Sequence, residues 1–164
     1  MDTRIIASLY EYGEWANERL LAVAAKLTDE QLRRRSSTGY QSIHETFVHL
    51  LGADLRWFAR WKEEALPPML TPADVPTLEA IRARWAPLVE ERRRYLAGLR
   101  DDDLEHVIRG RTADGRPLEL ARWQGMLQCA NHGTQHRSEV AAMLTDAGHS
   151  PGDLDYSRFC QPRP

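Results

Sequence analysis

Leu66-Pro67-Pro68-Met69-Leu70-Thr71-Pro72-Ala73-Asp74-Val75-Pro76 carries four prolines in ten positions, at 67, 68, 72 and 76. Each proline fixes φ and removes a backbone donor, so neither a helix nor an inner strand can run through the stretch, and it reads as an extended connector. Such a connector can cross the length of a bundle. The helices on its two sides can then run parallel, where a short turn would force them antiparallel.

Before the connector, Ile43, Phe47, Leu50, Leu51, Trp57, Phe58 and Trp61 recur at helical spacing and predict a helix over about 41 to 64. Earlier still, Ile5, Leu9, Tyr12, Ala16, Leu20, Val23 and Leu27 share one face of a helix over about 2 to 27, and the polar break Ser36-Ser37-Thr38-Gly39 separates the two. After the connector, Leu78, Ile81, Trp85, Val89, Leu96 and Leu99 predict a third helix over about 77 to 100, which Pro87 is expected to kink or to divide near residue 83. Over about 104 to 120 the period changes: Val107 and Ile108, then Asp114-Gly115, then Leu118 and Leu120 predict a small β-hairpin whose tight turn needs positive φ. A fourth helix over about 120 to 146 ends at Gly148, and Ser150 to Pro164 forms a tail containing Pro and Gly.

The expectation is a single domain over 1–164, all-α, a four-helix bundle of up-down-down-up order with a small β-hairpin before the last helix. The fourth helix has two apolar stripes. Leu120, Trp123, Leu127, Ala130, Ala141 and Leu144 lie on one side, while Cys129, Val140 and Met143 lie nearly opposite, along with His132 and His136. A helix apolar on two sides is buried on two sides, against either a cavity in the fold or a second subunit.

Composition excludes several classes. A chain of 164 residues with 42% hydrophobic content can fill one core and has no room for a second full domain. Lys and Arg total 22 against 24 Asp and Glu, a formal charge of -2, so the basic surface that would neutralise many phosphates is missing and nucleic acid is not the expected partner. The trios Arg33-Arg34-Arg35 and Arg92-Arg93-Arg94 sit among acids and read as solvated surface. No run approaches the ~20 apolar residues needed to span a bilayer, and Met1-Asp2-Thr3-Arg4 leads into an amphipathic pattern rather than an export signal. Two cysteines, Cys129 and Cys160, make no disulfide framework, so a reducing cytoplasm is the expected location.

His132 and His136 are four apart on a predicted helix, close enough for both imidazoles to reach one metal ion. The pair lies on the partly apolar stripe, and Gly133 beside the first histidine suits close packing. Neutral imidazole suits Zn²⁺, Ni²⁺ and Fe²⁺, and three protein ligands with an open position is the arrangement of a catalytic site. Helix two offers His44 or His49 as the third ligand. These two are five apart, about 140° around a helix, which rules out a metalloprotease signature, and spacing alone does not choose between them. His106 and His149 fall in the hairpin region and the tail, where exposure is expected. Asp54, near the centre of helix two's stripe, needs an ion-pair partner such as Arg137 or Arg60, or else a hydrogen bond to the back of a ligating histidine. Cys129 reads as small packing material, and Trp15, Trp57, Trp61 and Trp123 read as core.

Three segments resemble the DinB family. Tyr12-Gly13-Glu14-Trp15-Ala16-Asn17-Glu18-Arg19-Leu20-Leu21 is similar to the family's first-helix pattern of a tyrosine, Trp-Ala-Asn and paired leucines. His49-Leu50-Leu51-Gly52-Ala53-Asp54 with Trp57 resembles its histidine segment, and Asn131-His132-Gly133-Thr134-Gln135-His136-Arg137 its Asn-His-Gly-Thr-x-His-Arg segment. The resemblance extends through the hairpin to the Leu154-Asp155-Tyr156 tail. It implies an up-down-down-up, often dimeric bundle of the DinB/YfiT-like kind, with a divalent metal, zinc or nickel foremost and iron as the third choice, held by His49, His132 and His136. Asp54 and Arg137 are the candidates to stand behind those ligands. The chain departs from the family pattern at Gln135, where a second histidine is common, and at Ser138-Glu139, where Gly-Gln is common. Some members of the broad superfamily are thiol S-transferases and others metal-dependent hydrolases. The resemblance thus implies a metal-dependent enzyme acting on a small molecule, with a low-molecular-weight thiol as one candidate partner. Its alternative is a non-catalytic, metal-binding homodimer induced by damage or stress.

Overall fold

The computed structural model describes residues 1–36, 41–112 and 114–161. The predicted first helix is α1 (Thr3–Ala24), capped by the Asp2 carboxylate, which accepts from the Arg4 backbone N–H. A short α2 (Asp29–Arg33) follows, opened by a reciprocal cap between Thr28 and Gln31. The predicted second and third helices are α3 (Ile43–Trp61) and α4 (Leu78–Gly98), begun at Ser42 and Thr77, whose hydroxyls accept from the Glu45 and Ala80 backbone N–H groups. A 3₁₀ turn (Asp101–Glu105), β1 (Val107–Arg111) and β2 (Pro117–Ala121) lead into α5 (Arg122–Asp146), and α6 (Tyr156–Phe159) lies in the tail. The pieces not foreseen, α2, the 3₁₀ turn and α6, have five, five and four residues, too few for a periodic stripe to register. Of the predicted polar break, Ser37, Thr38 and Gly39 lie outside the described residues.

Side-chain contacts fix the helix directions. His44 at the start of α3 bonds Val75 just before α4, and Tyr95 near the end of α4 donates to the Trp61 carbonyl at the end of α3, so these two helices run parallel. Along α1 and α5, Tyr10 donates to the Met126 carbonyl, Gly13 packs on Arg137 and Arg19 donates to the Pro151 carbonyl, so this pair is parallel as well. His49 meeting His132, and Asp54 meeting Cys129, show that α3 opposes α5. The order is up-down-down-up, and the proline-rich connector makes the parallel step between α3 and α4. Pro87 does not divide α4, which is continuous from Leu78 to Gly98. Ala83 and Pro87 are both exposed, so the carbonyl that loses its intrahelical donor faces water.

Inside the chain α5 packs on both α1 and α3, with Cys129, Val140, Met143 and Leu144 buried and Trp123, Leu127, Ala130 and Ala141 half-buried. Among the predicted core tryptophans Trp61 is fully buried, whereas Trp15, Trp57 and Trp123 are half-buried. The β-hairpin forms as expected, pairing Val107 with Ala121 through Arg111 with Pro117, and Gly115 takes φ +83° in its turn. At Gly125 a β-carbon would stand 3.0 Å from Ile108 and 3.3 Å from the Trp57 ring, so glycine lets the start of α5 sit against both. No helix among the described residues is long and apolar enough to cross a membrane.

The helices are also joined by charge. Arg92 of α4 is 2% exposed, which corrects its reading as solvated surface; Arg93 and Arg94 are exposed as expected. Its guanidinium donates to Asp54 of α3 at 3.1 Å and to Glu14 of α1 at 3.1 Å, and it lies over the Tyr10 ring. Asp54 also accepts from the Trp85 indole at 3.0 Å, and Glu14 from Arg93 at 2.8 Å. Burial alone would lower the Arg92 pKa, but Asp54 and Glu14 outweigh it and hold the guanidinium charged. Asp54 is therefore ion-paired as expected, but to Arg92 rather than to Arg137 or Arg60. Replacing Arg92 by Met leaves the largely buried Asp54 carboxylate without its ion-pair partner and Glu14 with Arg93 alone, and stability should fall by about 3–5 kcal/mol. Denaturant unfolding followed by circular dichroism measures that loss.

Candidate metal centre

His49 stands near the middle of α3, and His132 and His136 one turn apart on α5. Because α3 and α5 are antiparallel neighbours, the two segments face each other at this level of the bundle. One potential ligand atom from each ring lies within 4.8 Å of the others. Ring centroids are 5.0 Å apart for His49 and His132, 4.6 Å for His49 and His136, and 4.5 Å for His132 and His136, each pair edge to face. The Nε2 atoms of His49 and His132 are 3.0 Å apart. Two such lone-pair atoms at that distance must share a proton or a cation.

Spacing left His44 and His49 open, and the fold separates them. His44 is 2% exposed and its Nε2 bonds the Val75 carbonyl at 3.0 Å, on the side of α3 that receives the connector. It ties the connector's end to the bundle and stands apart from the other three rings. Among the remaining histidines, His106 is exposed and bonds Glu63 at 2.8 Å, while His149 is half-buried rather than exposed.

Two of the three rings, His49 and His132, are held neutral. Burial, followed by the proximity of His136 and His132, lowers the His49 pKa to about 4. His132 is lowered as well, by burial first and then by His136. Each therefore presents a lone pair at neutral pH, as a metal ligand must. His136, 6% exposed, points its Nδ1 at Glu139 Oε2, 2.7 Å away. A carboxylate at Nδ1 holds a proton there, turns the ring and leaves Nε2 as the basic atom, an arrangement that accompanies metal-ligating histidines.

Glu139 is the neighbour of this group to which the sequence reading gave no role. It stands where the chain departs from the DinB pattern, and its one available signal was position, three residues beyond His136 on the same helix face. Arg137, by contrast, turns toward α1. It is buried between Gly13 and Gly133, donates to the Thr134 hydroxyl at 3.0 Å and lies over the Tyr12 ring. A β-carbon at Gly133 would stand 2.8 Å from its guanidinium, which gives that glycine its packing role. Asp54 is engaged by Arg92 and Trp85 and bonds none of the three histidines. Cys129 is buried against Asp54 at 3.5 Å with its thiol pKa pushed well up by burial, so it is packing material as expected.

Three converging imidazoles, one of them backed by a carboxylate, can hold a divalent ion, and the donor set suits Zn²⁺, Ni²⁺ or Fe²⁺ better than Mg²⁺ or Ca²⁺. Comparison with known proteins agrees with the geometry. A family model described as the DinB family matches residues 1–163. A curated relative, protein DinB of Bacillus subtilis (strain 168), is 24% identical over 159 residues, which cover 92% of this chain and 91% of the relative.

The lowered pKa values give acid sensitivity a sign. Between the folded value of about 4 for His49 and the ordinary value of 6.5, the unfolded chain binds more protons than the folded one. His44 and His132, also lowered, act in the same direction. Stability of the metal-free protein should be fully present above pH 6.5 and fall as pH drops toward 4, as melting temperatures in the presence of a chelator will show. Glu139→Ala frees the His136 ring, and affinity for Zn²⁺ should weaken by about 10- to 100-fold in competition titrations against a chromogenic chelator.

Proposed function

The chain belongs to the DinB family, and we propose that it is a metal-dependent enzyme acting on a small molecule, with His49, His132 and His136 as the ligands of a divalent ion. The observation that carries this reading is the convergence of those three rings from two distant segments, within 4.8 Å, with Glu139 behind one of them. A structural ion is normally enclosed by four protein ligands, whereas three leave room for an exchangeable group. His49 and His132 are half-buried rather than sealed off, so solutes have access to the group. An ion held by three neutral imidazoles keeps its full positive charge and, when bound, supplies the means to lower the pKa of a water or a thiol. Transfer of a low-molecular-weight thiol to an electrophile and hydrolysis of an ester or amide are the two reactions that fit.

The chain's own residues have separable duties in this reading. His49 and His132 stay unprotonated through the physiological range because burial opposes their charge. Glu139 keeps the proton of His136 on Nδ1. The Arg92 network, through Asp54, holds α3 against α4 and so sets the position from which His49 reaches α5.

Elemental analysis of untagged protein should find about one equivalent of zinc, nickel or iron per chain, lost in His49→Ala and His132→Ala variants that keep their helical circular dichroism. Metal-loaded protein incubated with thiols plus electrophiles, and with esters and amides, should show a turnover that the same variants lose. A folded wild-type chain that binds no divalent ion overturns the proposal. Metal without any turnover would instead mark a metal-binding protein that is not an enzyme.

A further inference from the structure

Two surface hollows, about 690 Å³ beside Trp15 and Phe159 and about 370 Å³ beside Arg34 and Met143, contain none of the three histidines. A smaller one does. A cavity of about 120 Å³ opens beside His49, walled on one side by Gln41 and by Glu45, Val48, His49 and Gly52 of α3, and on the other by Met69, Leu70 and Pro72 of the connector. Its volume is well below the roughly 300–1,000 Å³ that encloses a drug-sized ligand, so its occupant is a very small molecule or the end of one.

The two walls differ in chemistry. Glu45 is one turn before His49 and faces the same way. Its Oε2 accepts from the Ser42 hydroxyl at 2.9 Å, which holds the carboxylate at the rim of the cavity, and it is the one acidic group in the lining. The connector wall is apolar and its backbone is held at several points. Thr71 donates twice to the Asp74 carboxylate, His44 bonds Val75 beyond it, and Leu70 lies close over Gly52. Met69 is 58% exposed at the mouth and can adapt its unbranched side chain to what enters.

Resting on the metal-centre reading above, we infer that this cavity receives the tail of the substrate whose reacting atom lies at the three histidines. The tail has a short apolar stem, which lies on Met69 and Leu70, and a cationic end such as an ammonium, which pairs with Glu45. An anionic end would meet the Glu45 charge, and among the described residues the lining holds no cation to compensate it.

Cobalt-loaded full-length chain titrated with cysteamine, 2-mercaptoethanol and 3-mercaptopropionate reads the inference directly, because thiolate binding changes the cobalt absorption spectrum. The variants are Glu45→Gln, whose side-chain oxygen can still accept from the Ser42 hydroxyl, and Glu45→Lys. Comparing ratios between variants cancels the different acidities of the three thiols. The preference for cysteamine over 3-mercaptopropionate should fall roughly fivefold in Glu45→Gln, the scale of one partly solvated ion pair, and fall further or invert in Glu45→Lys. Met69→Trp should weaken all three thiols, and cobalt content should be unchanged throughout. An equal preference in wild type and both Glu45 variants, with cobalt bound, overturns the inference and leaves the metal centre standing. A wild-type chain that takes up no cobalt removes both.

Discussion

The guanidinium of Arg92 is the constraint on which the arrangement depends. It is almost wholly buried, it comes from α4, and its two acceptors come from α1 and α3. A charge taken out of water must be matched where it lies, so three helices are committed to one relative height. Apolar packing alone tolerates sliding by a turn with modest loss, whereas a buried ion pair does not. The network therefore sets the register of the bundle, while the apolar cluster around Phe47, Leu51, Trp61 and Leu144 provides most of the cohesion.

That register is what makes the three-histidine group possible. His49 can meet His132 and His136 only if α3 opposes α5 at one particular height. The opposition follows in turn from the parallel step that the proline-rich connector makes between α3 and α4. Asp54 links the two requirements, five residues beyond His49 and bonded to Arg92. The same connector then forms one wall of the cavity beside His49, so a segment whose first role is topological also shapes the surroundings of the candidate centre.

Much of this was legible in residue order. Apolar residues at helical period revealed the four long helices, because an amphipathic helix must repeat its buried face every three to four positions. The hairpin was visible because its turn demands φ > 0 at Gly115, a demand few residues meet. Errors fell where a pattern has more than one physical solution. Arg92 stood in a basic trio that looked solvated, since charge patterning along a chain does not reveal which member turns inward.

The chain's sequence by itself determined the helical class, the connector and the His132 and His136 pair, because each rests on local periodicity, proline chemistry or a one-turn spacing. Resemblance to the DinB family then singled out His49, which spacing could not do. Only the tertiary structure decided that Glu139 backs His136, that Arg92 rather than Arg137 or Arg60 neutralises Asp54, and that Arg137 faces α1. The physical reason is that these are contacts of direction and depth. A residue's position along a helix restricts the face it can reach, but which neighbour waits there depends on how the helices are stacked.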